Sequence, residues 1–284
     1  MRHAPSYEEL LAPPRPGSWA ALKWGMVARL LRAVAPLSDG LSIGYRHGFD
    51  SGPMLDYVYR NRARGRWGVG RVLDRVHLSS IGWRGIRRRK ANLQAVLRTT
   101  IADVVARERR PARVVDIASG PGRYLLELVR ELGGDAVDAT LRDRDEAGLA
   151  QGRFLARDLG DAVTFVRGDA FDPDALAALA PRPDVVVVSG LYELFPDDAL
   201  VRRSLDGIRR LLPPGGSLVY TNQPTHPQLE LIARVLPNRE GRPWVMRLRP
   251  QAEMDGLVTA AGFAPRRTLG DRWGIFTVSV AVRP

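Results

Sequence analysis

Val114-Val115-Asp116-Ile117-Ala118-Ser119-Gly120-Pro121-Gly122-Arg123 is the stretch whose reading decides the fold. Apolar residues on both sides of one acid make a buried strand, which runs into a bend holding Gly120 and Gly122. A helix over 124–132 follows. Glycine is required where backbone and ligand approach so closely that a Cβ would collide. The start of the following helix adds N–H groups without intrahelical partners at the same place. About 20 residues beyond the glycines, after a second strand over 136–141, stands Asp143. An acid there can accept hydrogen bonds from both hydroxyls of a ribose.

Working outward, strands are expected over 163–167, 184–189, 217–221, 263–269 and 274–282. The helices between them fall over 147–157, 175–179, 198–212 and 254–261. Such alternation predicts an α/β protein with a mostly parallel sheet, and the last two strands are close enough in sequence to pair antiparallel. Pro213-Pro214-Gly215-Gly216 is a strong helix stop. The first hundred residues contain no convincing strand. Leu22, Met26, Leu30, Leu31 and Val34 recur at helical spacing, as do Leu93, Val96, Leu97, Ile101, Val104 and Val105. The expected organisation is therefore a helical N-terminal cap over 1–110 and a nucleotide-binding domain over 111–284.

Composition narrows the chemistry. The 284 residues include no cysteine, which excludes disulfides, thiolate zinc sites, a cysteine nucleophile and iron–sulfur clusters. His3, His47, His77 and His226 have no ligand-like spacing, so no metal site is expected. No apolar run approaches the roughly 20 residues that span a bilayer. Residues 1–16 lack the compact apolar stretch of a signal peptide, and a cytoplasmic location is expected. The net charge is +12, almost all of it from arginine, since Lys23 and Lys90 are the only lysines. This charge concentrates before residue 114. It reads first as a solvated arginine-rich surface, and as a nucleic-acid or anionic-membrane patch second. The 87–90 run, Arg-Arg-Arg-Lys, reads as an exposed helix face.

A dinucleotide site competes for the glycine bend, but its fingerprint wants a small third residue where Leu125 stands. Asp116 would also repel a pyrophosphate, whereas the ammonium and sulfonium of S-adenosylmethionine (SAM) tolerate a carboxylate. Three later landmarks fit a SAM site: Gly168-Asp169-Ala170 after the third strand, Ser189 to Phe195 after the fourth, and Pro213 to Gly216 before the fifth. In order and spacing these positions resemble the motif series of class I SAM-dependent methyltransferases over roughly 113–283. The resemblance implies a Rossmann-like, seven-stranded class I methyltransferase sheet with SAM as cofactor. Further segments extend it: Gly48 to Gly52, Leu55 to Asn61, Gly82 to Arg87, Tyr220 to Gln228 and Trp273 to Thr277. With these the chain resembles a bacterial methyltransferase family with a helical N-terminal cap, often fused to an α/β-hydrolase. Ala118 stands where that family's first motif usually has glycine. One branch associated with this arrangement cyclises SAM to azetidine-2-carboxylate.

The resulting candidates for cofactor binding are Asp116, Ala118, Gly120, Gly122, Asp143, Asp169, Ala170, Ser189 and Tyr57. For catalysis they are Tyr192, Ser189, Asn222, His226 and Glu193. His226 or Glu193 could act as general base toward an acidic acceptor. Tyr192 and Tyr57 or Tyr59 could wall the sulfonium. The structural alternatives stay open: Tyr192 in the core, Glu193 paired with an arginine, His226 bonded to loop backbone, Tyr57 bracing the cap. The first expectation is methyl transfer to a small molecule in a capped pocket. SAM cyclisation, with no partner beyond SAM, comes second, and an RNA-binding methyltransferase third.

Overall fold

The computed structural model describes residues 5–284. The N-terminal helices are α1 (Tyr7–Leu11), α2 (Trp19–Val34), α3 (Asp39–His47), α4 (Gly52–Arg60), α5 (Trp67–Leu78) and the long α6 (Ile81–Glu108). Serine starts several of them: Ser18, Ser38 and Ser51 each accept a hydrogen bond from an N–H of the first turn, satisfying a donor the helix cannot. Strand β1 (Ala112–Ile117) then opens the sheet. It is followed by α7 (Arg123–Leu132), β2 (Val137–Asp143), α8 (Glu146–Leu155), β3 (Val163–Arg167), α9 (Pro173–Ala177) and β4 (Val185–Val188). The rest of the chain supplies α10 (Asp198–Leu211), β5 (Ser217–Asn222), α11 (Leu229–Val235), α12 (Gln251–Ala260), β6 (Ala264–Gly270) and β7 (Thr277–Val282).

The chain forms two compact units. One holds the residues up to Arg87 together with His226–Leu248; the other holds Arg88–Thr225 and Arg249–Pro284. In the second unit the seven strands lie in the order β3-β2-β1-β4-β5-β7-β6. The first five are parallel, and β7 runs antiparallel to both β5 and β6. The α/β sheet expected from the alternating pattern is therefore present, with its antiparallel pair at one edge. Parallel strands covered on both faces read as unbroken apolar runs, and β4 is four consecutive buried valines. Alternate residues of β1, β4 and β5 serve the two faces. Val115, Ile117, Val186, Val188 and Leu218 meet α10 and α12, through Leu205, Ile208 and Met254 among others. Val114, Val185, Val187 and Val219 meet α7 and the later part of α6, through Leu125, Val129, Leu97 and Ile101. Beginning at β1, successive strands add on one side and then on the other. The carboxyl ends of β1 and β4 thus flank the switch point where such sheets bind ligands.

In the first unit, Leu10 packs with Leu229, Ile232, Ala233 and Met246, so α11 is built into the N-terminal helices. The sequence predicts no helix over 229–235, because seven residues are too few to show a period. Trp24 Nε1 donates to Glu230 Oε1 at 3.2 Å, and the Arg234 guanidinium takes the carbonyls of Glu9, Leu10 and Ala12. Among the described residues no helix is long and apolar enough to cross a membrane.

Candidate active site

The bend after β1 is held from two sides. Ser119 N donates to Arg142 O at 3.0 Å, and Gly120 N donates to Asp143 Oδ2 at 2.7 Å. Asp143 Oδ1 accepts from Asp145 N at 2.9 Å. The half-buried Asp143 carboxylate is thereby fixed at the carboxyl end of β2, beside the glycine bend. Ala118, Gly120 and Gly122 all have φ in the left-handed region, +66°, +54° and +68°. The alternation lets the bend double back, and it explains the glycines. A Cβ on Gly122 would lie 1.8 Å from Leu141 Cδ2, whereas one on Gly120 would meet nothing within 4 Å. Gly122 serves packing, and Gly120 leaves room alongside the bend. Ala118 adopts the same left-handed geometry at the steric cost of its Cβ, a cost glycine would not carry.

Asp116 shares the face of β1 that packs on α7. It is fully buried and accepts from Tyr124 Oη at 2.6 Å, while its Oδ1 has no partner. Burial is the main cause that pushes its pKa up to about 8; the Tyr124 hydrogen bond opposes the shift, and the nearby Asp143 charge adds to it.

At the end of β3, exposed Asp169 caps its own turn, its Oδ1 accepting from Phe171 N at 2.9 Å; Ala170 is buried in the core. Buried Arg142 donates to Asp169 O at 2.6 Å, and its guanidinium occupies the space a side chain on Gly168 would need. At the end of β4, Ser189 is half-buried and precedes Gly190, whose φ is +73°. Gly190 N donates to Thr221 Oγ1 at 2.9 Å, Thr221 donates to Glu193 Oε1 at 2.8 Å, and Arg89 Nη1 lies 3.5 Å from that same oxygen. Glu193 is buried and its Oε2 has no partner. Asn222, ending β5, donates from Nδ2 to Arg249 O and Gln251 Oε1. Asp169, Asp143, the Asp116–Gly122 bend, Ser189, Glu193 and Asn222 thus line the carboxyl edge of five neighbouring strands, β3-β2-β1-β4-β5.

Three side chains are used otherwise. Tyr192, in a short 3-10 helix (Tyr192–Leu194), is buried in the core, and its hydroxyl lies 3.0 Å from Ser204 Oγ on α10. Its carbonyl takes one bond from the fully buried Arg249, which also reaches Phe195 O and Asp198. Tyr57 lies in the first unit and donates to the buried Asp74 carboxylate, which also accepts from Ser38, Gly40, Arg64 and Gly65. Burial, then that bond, push its pKa up. His226 also belongs to the first unit. Its Nδ1 accepts from Gln228 N at 3.1 Å, and burial lowers its pKa to about 4. The proton of the neutral ring therefore sits on Nε2, which lies close to Gly82 of α6.

The 87–90 run is not the exposed helix face expected of it. Arg88 is exposed, but Arg89 is buried against Glu193 and stacks over Phe276 at 5.0 Å. No sequence signal singled out Arg89, because its partner lies 104 residues away. Among the described residues no cluster of acidic or histidine side chains could hold a metal ion.

A family model described as "Putative methyltransferase" matches residues 2–283. The chain is 47% identical over 273 residues to the uncharacterized protein YnbC of Escherichia coli K12, covering 95% of this chain and 46% of YnbC. It thus spans less than half the length of that relative. A Bordetella parapertussis structure described as a possible exported protein aligns with a TM-score of 0.68 and 20% identity, over 96% of this chain and 99% of that one. Magnesium protoporphyrin IX methyltransferase of Synechocystis PCC 6803, crystallised with SAH, aligns with a TM-score of 0.55 and 18% identity, over 87% of this chain and all of that one. At these identities the structural likeness is one of fold. The family match leads to one conclusion: the chain belongs to this "Putative methyltransferase" family, and its sheet shares the fold of a methyltransferase crystallised with SAH.

Proposed function

We propose that the protein is a small-molecule methyltransferase that holds SAM along the carboxyl edge of β2, β1 and β4. The observation that carries this reading is the pairing of the left-handed Ala118–Gly122 bend with a pinned Asp143 carboxylate and the unpartnered Oδ1 of Asp116. These residues fit the cofactor. Asp143 keeps lone pairs free for the two ribose hydroxyls, and room beside Gly120 suits close approach of the nucleoside. Asp116 is a buried acid that gains from a nearby cation, and SAM carries two. SAM supplies a methyl carbon activated for in-line displacement. The protein's part is to hold donor and acceptor in line and exclude water.

Asp143→Ala should weaken binding of SAM, measured by calorimetry, by about 1–3 kcal/mol, because the ribose hydroxyls would lose their acceptor. Unchanged affinity would remove Asp143 from the site. Cyclisation of SAM is the competing reaction on the same scaffold, and incubating the pure protein with SAM alone separates the two. A methyltransferase leaves SAM unchanged until an acceptor is added, whereas release of methylthioadenosine with a cyclic amino acid replaces the proposal by cyclisation.

A further inference from the structure

Helix α2 has two apolar faces, and the fold uses one. Trp24 is buried and bonded to Glu230, with Ala21, Ala28 and Leu31 on the same side half-buried. On the opposite side Trp19, Leu22, Met26 and Leu30 are 78%, 61%, 64% and 61% exposed. At about 100° per residue these four fall within one stripe roughly 80° wide. Lys23 borders one edge of that stripe and Arg29 the other, both exposed, and α2 contains no acidic residue. In the same unit, Val69, Val72 and Val76 of α5 form a second exposed apolar row, with exposed Arg71 and Arg75 to one side. The only acid on α5, Asp74, is buried and bonded. Exposed apolar side chains scattered singly need no explanation; a tryptophan-led stripe bordered by cations does.

We infer that α2 is a docking surface for an anionic lipid bilayer, lying in the headgroup plane. The charge pattern chooses this occupant. A helix in that plane buries an apolar stripe at the acyl boundary, keeps tryptophan at the interface and lets flanking lysine and arginine reach the phosphates. A second copy of the chain would bring Lys23 and Arg29 against the same cations. A nucleic acid would use the basic rows and leave the apolar stripe in water.

The test is flotation of the full chain with phosphatidylcholine vesicles, with and without about 30 mol% phosphatidylglycerol. Binding to the anionic vesicles, weakened by salt and accompanied by a blue shift of tryptophan fluorescence, is expected. Leu22→Ser, Met26→Ser and Leu30→Ser together should lower that binding about tenfold or more. Lys23→Gln with Arg29→Gln should lower it about fivefold per charge. All five positions are exposed, so these variants should melt like the parent. No binding to either vesicle overturns the inference, as does equal binding to both. A dimer seen by light scattering that the serine substitutions dissolve, without vesicle binding, assigns the stripe to a second copy instead.

Discussion

Asp116 sets a conflict between stability and binding. With a folded pKa of about 8 against the ordinary 3.8, the folded state holds a proton that the unfolded state has lost between those two pH values. Stability from this group is therefore complete below about pH 4 and declines as pH rises toward 8, where a buried charge must be carried. Asp116→Asn keeps the shape and an acceptor for Tyr124, and it cannot ionise. Its melting temperature should exceed the parent's by a margin that widens from about pH 5 to pH 9. The same variant should bind SAM more weakly by about 1.5–3 kcal/mol, the usual worth of a hydrogen bond to a charged group. Parallel melting profiles, or unimpaired binding, would contradict the role given to this carboxylate.

At the scale of one element, the bend between β1 and α7 makes opposite demands at residues four apart. Ala118→Gly removes a left-handed alanine costing about 1–2 kcal/mol but loosens the unfolded chain by about 0.4–1 kcal/mol. The net change in urea unfolding should lie between neutral and about 1.6 kcal/mol of stabilisation. Gly122→Ala meets both a left-handed φ and Leu141, and it should cost about 1–3 kcal/mol. This bend was legible because everything that defines it is local: a buried strand, an acid, two glycines and a helix in one short run. The same holds for the seven strands and the antiparallel edge. Other features were hidden because they depend on distant residues. Arg89 is buried through Glu193, Tyr192 turns inward through Ser204, and Tyr57 is tied to Asp74 by a carboxylate that four further donors also share. In each case side-chain chemistry was readable from sequence, and its partner was not.

For the molecule as a whole, two neutral histidines make the first unit sensitive to acid. Burial lowers both His77 and His226 to about 4, and His77 Nε2 accepts from Trp83 Nε1 at 3.1 Å. Unfolding restores values near 6.5, so the stability they contribute is full above about pH 6.5 and is lost as pH falls toward 4. His226→Gln should flatten the decline in unfolding free energy between about pH 6.5 and pH 4.5, measured by urea titration; an unchanged slope would show that His226 is not buried in its neutral form. The same unit has another property, set by the order in which its pieces are made. Arg234 grips the carbonyl of Leu10 across 224 residues of chain. On the ribosome, α1 must wait, its mate α11 unsynthesised, until the residues between Leu10 and Arg234 have emerged. The helix is thus completed long after it is made, and its oily surface stays unmatched throughout that interval.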